Sequence, residues 1–290
     1  MRILNYGSLN VDEVLTVPHF VRPGETLSVA ERNCFPGGKG LNQSVALARA
    51  GADVTHLGAI GTDGKFLADL LRDNGADVSA IRTTDGATGR AIIQVDRNGQ
   101  NSILLLAGAN ADFNAEQIEK ALDRFSAGDW LLTQNETANP AFIITEAKKR
   151  GLSVALNPSP FDDSILSLPL SLVDLFFVNE IEGAALSGET EPEKIASTLL
   201  SRYPHARVVL TLGEHGALYA DERERFHVPA RRVPTADTTA AGDTFTGYFL
   251  ASLLSGNPPR ACMERATAAA ALTVSRPGAA PSIPRKEEIV

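Results

Sequence analysis

The second half of the chain most constrains its fold, because short apolar runs there alternate with helical stretches. "AEQIEKALDRF" has a helical pattern and "DWLLTQNE" an extended one; "PAFIITEAKKRG" is helical again and "LSVALNPSP" extended. "VDLFFVNEIEGAAL" reads as a strand entering a helix, "EKIASTLLSRYP" as a helix, and "ARVVLTLGEHGALYA" as two strands around a turn. Strands alternating with helices over this length imply a mostly parallel, doubly wound α/β sheet flanked by helices. The runs VALN, DLFFVN and VVLTL suit strands covered on both faces.

The N-terminal part fits the same plan with an addition. "RILNYGSLNVDEVL" reads as a strand running into a turn that carries Gly7, Asn10 and Asp12. "PGGKGLNQSVALARAGADVTHLGAIGTD" follows as a Gly-rich loop, a helix with Val45, Leu47 and Ala48 on its apolar face ended by Gly51, and a strand. A helix is expected from about Gly64 to Asn74. From Thr88 to Leu106 two β-rich arms flank Arg97-Asn98-Gly99, a hairpin signal. Segments from about 11–34 and 88–107 are therefore expected to form a small β-layer inserted in a single domain spanning 1–290. No repeat, linker or low-complexity tract divides the chain.

A formal charge of −8 argues against a general nucleic-acid or anionic-membrane surface, so an anionic substrate must be met locally by amides, lysines or a metal ion. Cys34 and Cys262 are the only cysteines, which implies no disulfide framework and fits a reducing cytoplasm. Asn5, Asn10, Asp12 and Glu13 interrupt the N-terminus where a secretory signal would be apolar, and no run of ~18 apolar residues occurs. A cytoplasmic protein is expected.

In an open α/β sheet, ligands bind beyond the carboxyl ends of the strands. Polar clusters fall at those ends: Asn10/Asp12, Asn135/Glu136, Asn157, Asn179/Glu180/Glu182, Thr211/Gly213 and Asp237/Asp243. Each alone reads equally as a helix cap; their recurrence points to a shared cleft. In "TADTTAAGDTFTGYFLASLL", Phe245, Phe249, Leu250, Leu253 and Leu254 recur at helical spacing, so a helix starts near Gly242-Asp243. Ala240, Ala241 and Gly242 strip that start of bulk, which lets backbone N–H groups approach an anion. Asp243 there suits a base accepting a hydroxyl proton, or simply an N-cap on a tightly packed helix.

"PGGKGLN" offers backbone access at Gly37, Gly38 and Gly40, a cation at Lys39, and donor and acceptor groups at Asn42, a set suited to a polyhydroxyl ligand. Neither a Walker A loop nor a Gly-x-Gly-x-x-Gly fingerprint is present. "TLGEHG" ends a buried strand as a nucleotide contact or a plain strand–strand turn would. The scattered His19, His56, His205, His215 and His227 give no zinc spacing, and no Gly-x-Ser-x-Gly elbow supplies a hydrolase nucleophile.

Together these residues resemble the ribokinase branch of the PfkB carbohydrate-kinase family. "GSLNVD" followed by "PGGKGLNQSVALARAGA", then "VNEIE", "TLGEHG", "DTTAAGDTFTGYF" and "RPGAAPSIP", cover essentially the whole chain in the family's order. The resemblance implies a ribokinase-like fold with a β-sheet lid. It also implies ATP-dependent transfer of a phosphoryl group to the primary hydroxyl of a pentose, D-ribose to ribose 5-phosphate foremost. By the same resemblance Asp243 is the base, and Ala241 and Gly242 form the anion hole. Asn10 and Asp12 bind sugar hydroxyls, Gly38, Lys39 and Asn42 close around the sugar, and Glu136 is a further sugar-contacting acid. Asn179 and Glu182 correspond to an Asn-x-x-Glu motif that positions phosphate and magnesium-bound water. Thr211, Gly213 and Gly216 match the nucleotide loop, and Thr267 the adenine side. The matching positions for an activating K⁺ are Asp237, Thr239, Thr273, Arg276, Gly278 and Ser282. Mg²⁺ accompanies ATP, and lids from two subunits pair into a homodimer.

Arg90 and Asn135 stand where apolar residues are expected for ribokinases. Facing the pocket, they would favour another pentose, a ketohexose, a nucleoside or, through the guanidinium, a sugar acid; Arg90 could equally point to solvent. A non-catalytic sugar-binding sensor would be expected to lose Asp243, and a purely structural dimerisation protein has no use for Lys39, Glu136 and Asp237 together.

Overall fold

The computed structural model describes residues 1–289. The chain opens with β1 (Ile3–Tyr6), β2 (Asn10–Thr16) and β3 (Glu31–Gly37), then α1 (Lys39–Arg49), β4 (Val54–Ile60), α2 (Lys65–Asp73) and β5 (Ile81–Thr83). A hairpin, β6 (Gly89–Val95) and β7 (Asn101–Leu106), precedes α3 (Ala115–Leu122), β8 (Trp130–Thr133), α4 (Pro140–Lys149) and β9 (Ser153–Leu156). There follow β10 (Leu175–Asn179), α5 (Glu180–Ser187), α6 (Pro192–Arg202), β11 (Arg207–Thr211), β12 (Ala217–Ala220), β13 (Arg225–Val228), α7 (Ala241–Leu254) and α8 (Pro259–Val274).

The main sheet has nine strands in the order β13-β12-β11-β10-β9-β8-β1-β4-β5. Pairing is parallel from β5 through β11, and β12 and β13 close that edge antiparallel. Period-two alternation distributes each strand between two cores. Leu175 and Phe177 face a core built with Leu41, Val45, Phe245, Phe249 and Met263, from α1, α7 and α8. Phe176 and Val178 face the other, with Ile118, Ile143, Ile195 and Leu199, from α3, α4 and α6. From β1 the chain runs outward to β4 and β5, and from β8 it runs the other way, so the crevice at the carboxyl ends of β1 and β8 is the topological switch point.

The second sheet has four strands in the order β3-β2-β6-β7. Here the structure corrects the reading of Asn10 and Asp12 as turn residues. The chain leaves the main sheet after Tyr6, and Asn10 begins a strand paired with Gly37 on one side and Gly89 on the other. The pleat then puts Asn10 and Asp12 on one face of the small sheet, with Val11 and Glu13 on the opposite face. A Cβ at Gly37 would lie 2.1 Å from the Asp12 carboxyl carbon, and one at Gly89 would lie 2.3 Å from Asn10 Oδ1, so glycine makes room for both side chains.

Close packing of α1 on α7 sets the site. A Cβ at Gly247 would lie 2.4 Å from Ala46 Cβ and 2.9 Å from Leu47 N, so only glycine allows this approach. It brings the first turns of the two helices against each other beneath the small sheet.

Candidate active site

Both helix starts lack a side-chain cap of their own. Gly38, at φ 96°, precedes α1, whose first amides are taken by the loops after β1 and β8: Lys39 N donates to Glu136 Oε2 at 3.1 Å, and Gly40 N to Ser8 Oγ at 3.3 Å. The Ser8 hydroxyl also donates to Glu136. Glu136 is thus fixed as the carboxylate over a helix N-terminus, which favours its negative charge.

At α7 the N-cap is Ala240, held at φ 63° in the left-handed region. Asp243 is therefore the third helical residue, not the cap, and the simple capping account of this acid fails. Its carboxylate is held from the side by α1: Asn42 Nδ2 donates to Oδ2 at 3.1 Å and Gln43 Nε2 to Oδ1 at 2.9 Å. A Cβ at Gly242 would meet nothing within 4 Å, so the space in front of the helix start is open.

That space is a cavity of about 250 Å³ lined by Lys39, Asn179, Glu182, Thr211, Ala241, Gly242 and Asp243, among others. A second cavity, of about 310 Å³, lies under the small sheet and is lined by Asn10, Leu105, Asn110, Asn135 and Glu136, among others. Asn42 is 5% exposed, and its Oδ1 is buried with no partner, an acceptor awaiting a donor. The electrostatics couple the two spaces. Burial, then the charges of Glu136 and Asp243, push the Asp12 carboxyl up to about 7. Burial likewise raises Glu136, against the pull of the Lys39 ammonium. Burial opposes the Lys39 charge too, but Asp243, Glu136 and Glu182 outweigh it and hold this pKa above the usual lysine value.

The remaining expected residues fall in three groups. Asn179 and Glu182 line the first cavity while forming a reciprocal capping box at α5: Glu182 N donates to Asn179 Oδ1 at 2.9 Å, and Asn179 N to Glu182 Oε2 at 3.0 Å. A carboxylate and an amide oxygen so fixed suit a hard divalent cation held through water. Thr211 also lines this cavity; Gly213 and Gly216 do not, and shape the following turn at φ 54° and 99°. Thr267 lies on α8 outside both linings, its buried hydroxyl without a partner.

The third group surrounds the approach to α7. Asp237 Oδ1 accepts from Thr239 N at 2.9 Å, and Oδ2 from Gly278 N at 3.0 Å, which ties the loop before α7 to the C-terminal turn. Thr273 donates to Thr244 Oγ1 and Ser282 to Ala279 O, while Arg276 pairs with Glu288. Each donating hydroxyl keeps oxygen lone pairs, so a monovalent cation here would draw on these oxygens as well as the Asp237 carboxylate and backbone carbonyls, an oxygen-only set that fits a hard ion.

Arg90 is on the face opposite Asn10 and Asp12, since it registers with Val11. It pairs with Glu13 at 3.2 Å and with Asp63 at 2.6 Å. Asn135 lines the second cavity, but its amide donates to Pro160 O and Asp162 Oδ2, so it ties down a loop.

Several site residues escaped the sequence reading. Asn110 donates to Asn10 Oδ1 at 2.8 Å, and its own Oδ1 accepts from Leu9 N at 3.0 Å. Ser8, Gln43 and Gln134 are the others. The available signal was "NQS" at Asn42–Ser44, three polar residues within an otherwise apolar helix, all of them buried.

An open helix start, a clamped carboxylate and an adjoining cavity edged by Asn10, Asn135 and Glu136 at an α/β switch point fit a kinase of small hydroxylated molecules. The chain belongs to the pfkB family of carbohydrate kinases, whose model matches residues 2–286. It is 38% identical over 303 residues to the ribokinase of Staphylococcus aureus, covering 99% of this chain and 98% of that protein. The solved ribokinase of Thermotoga maritima superposes with a TM-score of 0.88 at 36% identity, covering 100% of this chain and 98% of that one. The Arabidopsis thaliana ribokinase solved with ribose and ATP gives 0.82 at 28% identity, covering 99% and 97%. The protein is a sugar kinase with the ribokinase-like fold. No helix among the described residues is long and apolar enough to cross a membrane.

Proposed function

We propose that the protein transfers the γ-phosphoryl group of ATP to the primary hydroxyl of a pentose, D-ribose first among them. The observation that carries this reading is Asp243, clamped by Asn42 and Gln43 at the start of α7, where Gly242 opens onto the first cavity. The sugar would lie toward Asn10 and Glu136, which line the second cavity, with Asp12, Asn42 and Lys39 closing around it, so that carboxylates and the unpartnered Asn42 Oδ1 accept hydrogen bonds from its hydroxyls. Gly38 gives the backbone its approach there. The nucleotide occupies the side of Asn179, Thr211, Ala241 and Gly242, with Gly213, Gly216 and Thr267 toward the base.

In the transfer, the primary hydroxyl attacks the γ-phosphorus as its proton passes to an Asp243 carboxylate oxygen. The bond from the γ-phosphorus to the β–γ bridging oxygen breaks, and its electron pair leaves on ADP. Amides at Ala241 and Gly242 accept the charge on the transferring oxygens. Magnesium bound with the nucleotide would be held near Glu182 and Asn179 and would neutralise phosphate charge. Potassium at Asp237, Thr239, Thr273, Arg276, Gly278 and Ser282, through carboxylate and carbonyl oxygens, would fix the loop entering α7.

The small sheet acts as a lid that excludes water from the transfer. Its edge strand β7 exposes Ile103, Leu104, Leu105 and Leu106. Pairing with the lid of a second copy would cover that edge, and so a homodimer is proposed. Arg90 faces away from the acceptor side, which removes the reason to favour a sugar acid.

The test is ATP-dependent phosphorylation across ribose, deoxyribose, fructose, nucleosides and sugar acids, with and without K⁺, together with Asp243→Asn. Loss of a positioned base costs on the order of 10²–10⁴ in kcat, with ribose binding retained by calorimetry. Turnover kept in Asp243→Asn refutes the base; no activity on ribose with good activity on another acceptor refutes the sugar.

A further inference from the structure

Behind Asp243 runs a chain of buried amides that the transfer itself does not use. Gln43 and Asn5 are fully buried and Gln134 is 1% exposed. Gln43 Nε2 donates to Asp243 Oδ1 at 2.9 Å and to Asn157 Oδ1 at 3.0 Å. Its Oε1 accepts from Gln134 Nε2 at 2.7 Å, and the same nitrogen donates to Asn5 Oδ1 at 3.0 Å. Asn5 Nδ2 in turn donates to Gly40 O and Ser44 Oγ, each at 2.8 Å. Each amide thus has its orientation set by the next, across β1, β8 and α1.

We infer that Gln43, oriented by Gln134 and Asn5, is the positioning residue that aims the Asp243 carboxylate at the acceptor hydroxyl. The inference rests on Asp243 being the base, as proposed above. The two oxygens of Asp243 have different holders. Asn42 holds Oδ2 but keeps an unpartnered buried oxygen, so it has an acceptor group to offer a sugar and can shift when one binds. Gln43 has no such freedom: both donors and its acceptor are engaged inside the protein, and it has no surface to offer a ligand. It therefore supplies the fixed reference for the carboxylate.

The network is poorly explained by stability alone. Gln134 Oε1 is buried without a partner, and an apolar side chain of similar shape would avoid that penalty. What an apolar residue cannot do is hold the Gln43 amide in the one orientation that presents N–H to Asp243. The relay ends in a neutral group. Ser44 Oγ lies 2.8 Å from His56 Nδ1, and burial pushes His56 down to about 4. The amides form a scaffold and carry no proton.

The test compares Gln43→Met, Gln43→Glu, Gln134→Met and the Gln43→Met/Gln134→Met double variant with the parent and with Asp243→Asn. Steady-state kinetics, calorimetric binding of ribose and ATP, and thermal melting are measured on each. Displacement of a reacting group by a fraction of an ångström predicts a kcat loss of about tenfold to a hundredfold in the Gln43 variants, with KM and binding within about twofold. Gln134→Met is expected to lose less in the same pattern. The double variant is expected to lose no more than Gln43→Met, because the residues act as one chain. Gln43→Glu places a second buried carboxyl beside Asp243, which repels it when ionised and can still donate to it when protonated, so its expected signature is a kcat pH profile displaced to higher pH; if Gln43→Met does not fold, this displacement and Gln134→Met carry the test. A folded Gln43→Met with kcat within about twofold of the parent overturns the inference; so do losses that multiply in the double variant, or kcat, KM and melting point falling together. Turnover retained in Asp243→Asn sinks the base assignment, whereas an inactive Asp243→Asn beside fully active glutamine variants sinks only the positioning role.

Discussion

Asp12→Asn should make the sugar-free protein more stable, and more so at alkaline pH. In the folded chain this carboxyl is pushed up to about 7 from its ordinary value of 3.8, by burial first and then by Glu136 and Asp243. A folded-state pKa above the unfolded one means that the native protein holds the proton more tightly, so ionising the group costs stability. The cost is absent below the unfolded value, accrues as pH rises toward 7, and is complete above it. Each pH unit in that window is worth ~1.4 kcal/mol, so ~2 kcal/mol accrues between about pH 5.5 and pH 8.5. Asp12 keeps some solvent contact, and screening brings the expected figure to ~1–2 kcal/mol. For a chain of this size, that corresponds to roughly 2–4 °C in melting temperature.

The assay is thermal unfolding of parent and Asp12→Asn across that pH range, without and with saturating ribose. The asparagine variant is expected to gain a few degrees more over the parent at the alkaline end than at the acid end. Ribose should shrink the difference, since hydroxyl donors stabilise the ionised carboxylate of the parent and lower its pKa. An equal gain at both ends would show that the benefit is not electrostatic. A loss at the alkaline end would show that Asp12 is not in the anionic, buried setting described. Either result refutes the reasoning.

Arg90→Met removes the pairs with Glu13 and Asp63 at half-exposed positions, so stability should change by under ~1 kcal/mol. Preference between ribose and ribonate in an acceptor panel should not move; a changed preference would place Arg90 in the pocket. Gly247→Val would force a Cβ to 2.4 Å from Ala46 Cβ, and such overpacking costs ~1–3 kcal/mol. Melting temperature and kcat should fall together, because α7 must move off the helix that clamps its acid. Leu104→Lys puts a charge on the exposed edge strand, on the face away from Asn10 and Asp12, and is expected to shift a dimer to monomers in light scattering.

The main sheet was legible because its information is local: apolar runs such as "VVLTL" end in polar residues, and amphipathic helices intervene. The small sheet was legible only as segments. Asn10 looked like part of a turn because its partners, Gly37 and Gly89, are remote in sequence and no local pattern announces the pairing. Arg90 was ambiguous for the same reason, since its face is set by register with Val11 and its partner Asp63 comes from another loop. At α7, small residues before an acid fit a cap and a base equally well. The difference is the contact with α1, made across 201 residues by Asn42 and across 200 by Gln43. Composition marks Gln43 as polar in an apolar helix, but only packing supplies its partner.

Charge placement bears on the proposed transfer, in which Asp243 would serve both acceptor and nucleotide. The charges of Asp243, Glu136 and Glu182 hold Lys39 protonated, and those of Glu136 and Asp243 also raise the buried Asp12 carboxyl. Such a group attracts hydroxyl donors and repels phosphate, in a chain whose formal charge is already −8. On the proposed reading, a polyphosphate settles where backbone dipoles outweigh the carboxylates, and the start of α7 at Gly242, in front of an open cavity, would offer that place. Asp243 lies on the boundary, with amides on one side and acids on the other. The left-handed Ala240 and the tight α1–α7 contact are what keep it at that boundary.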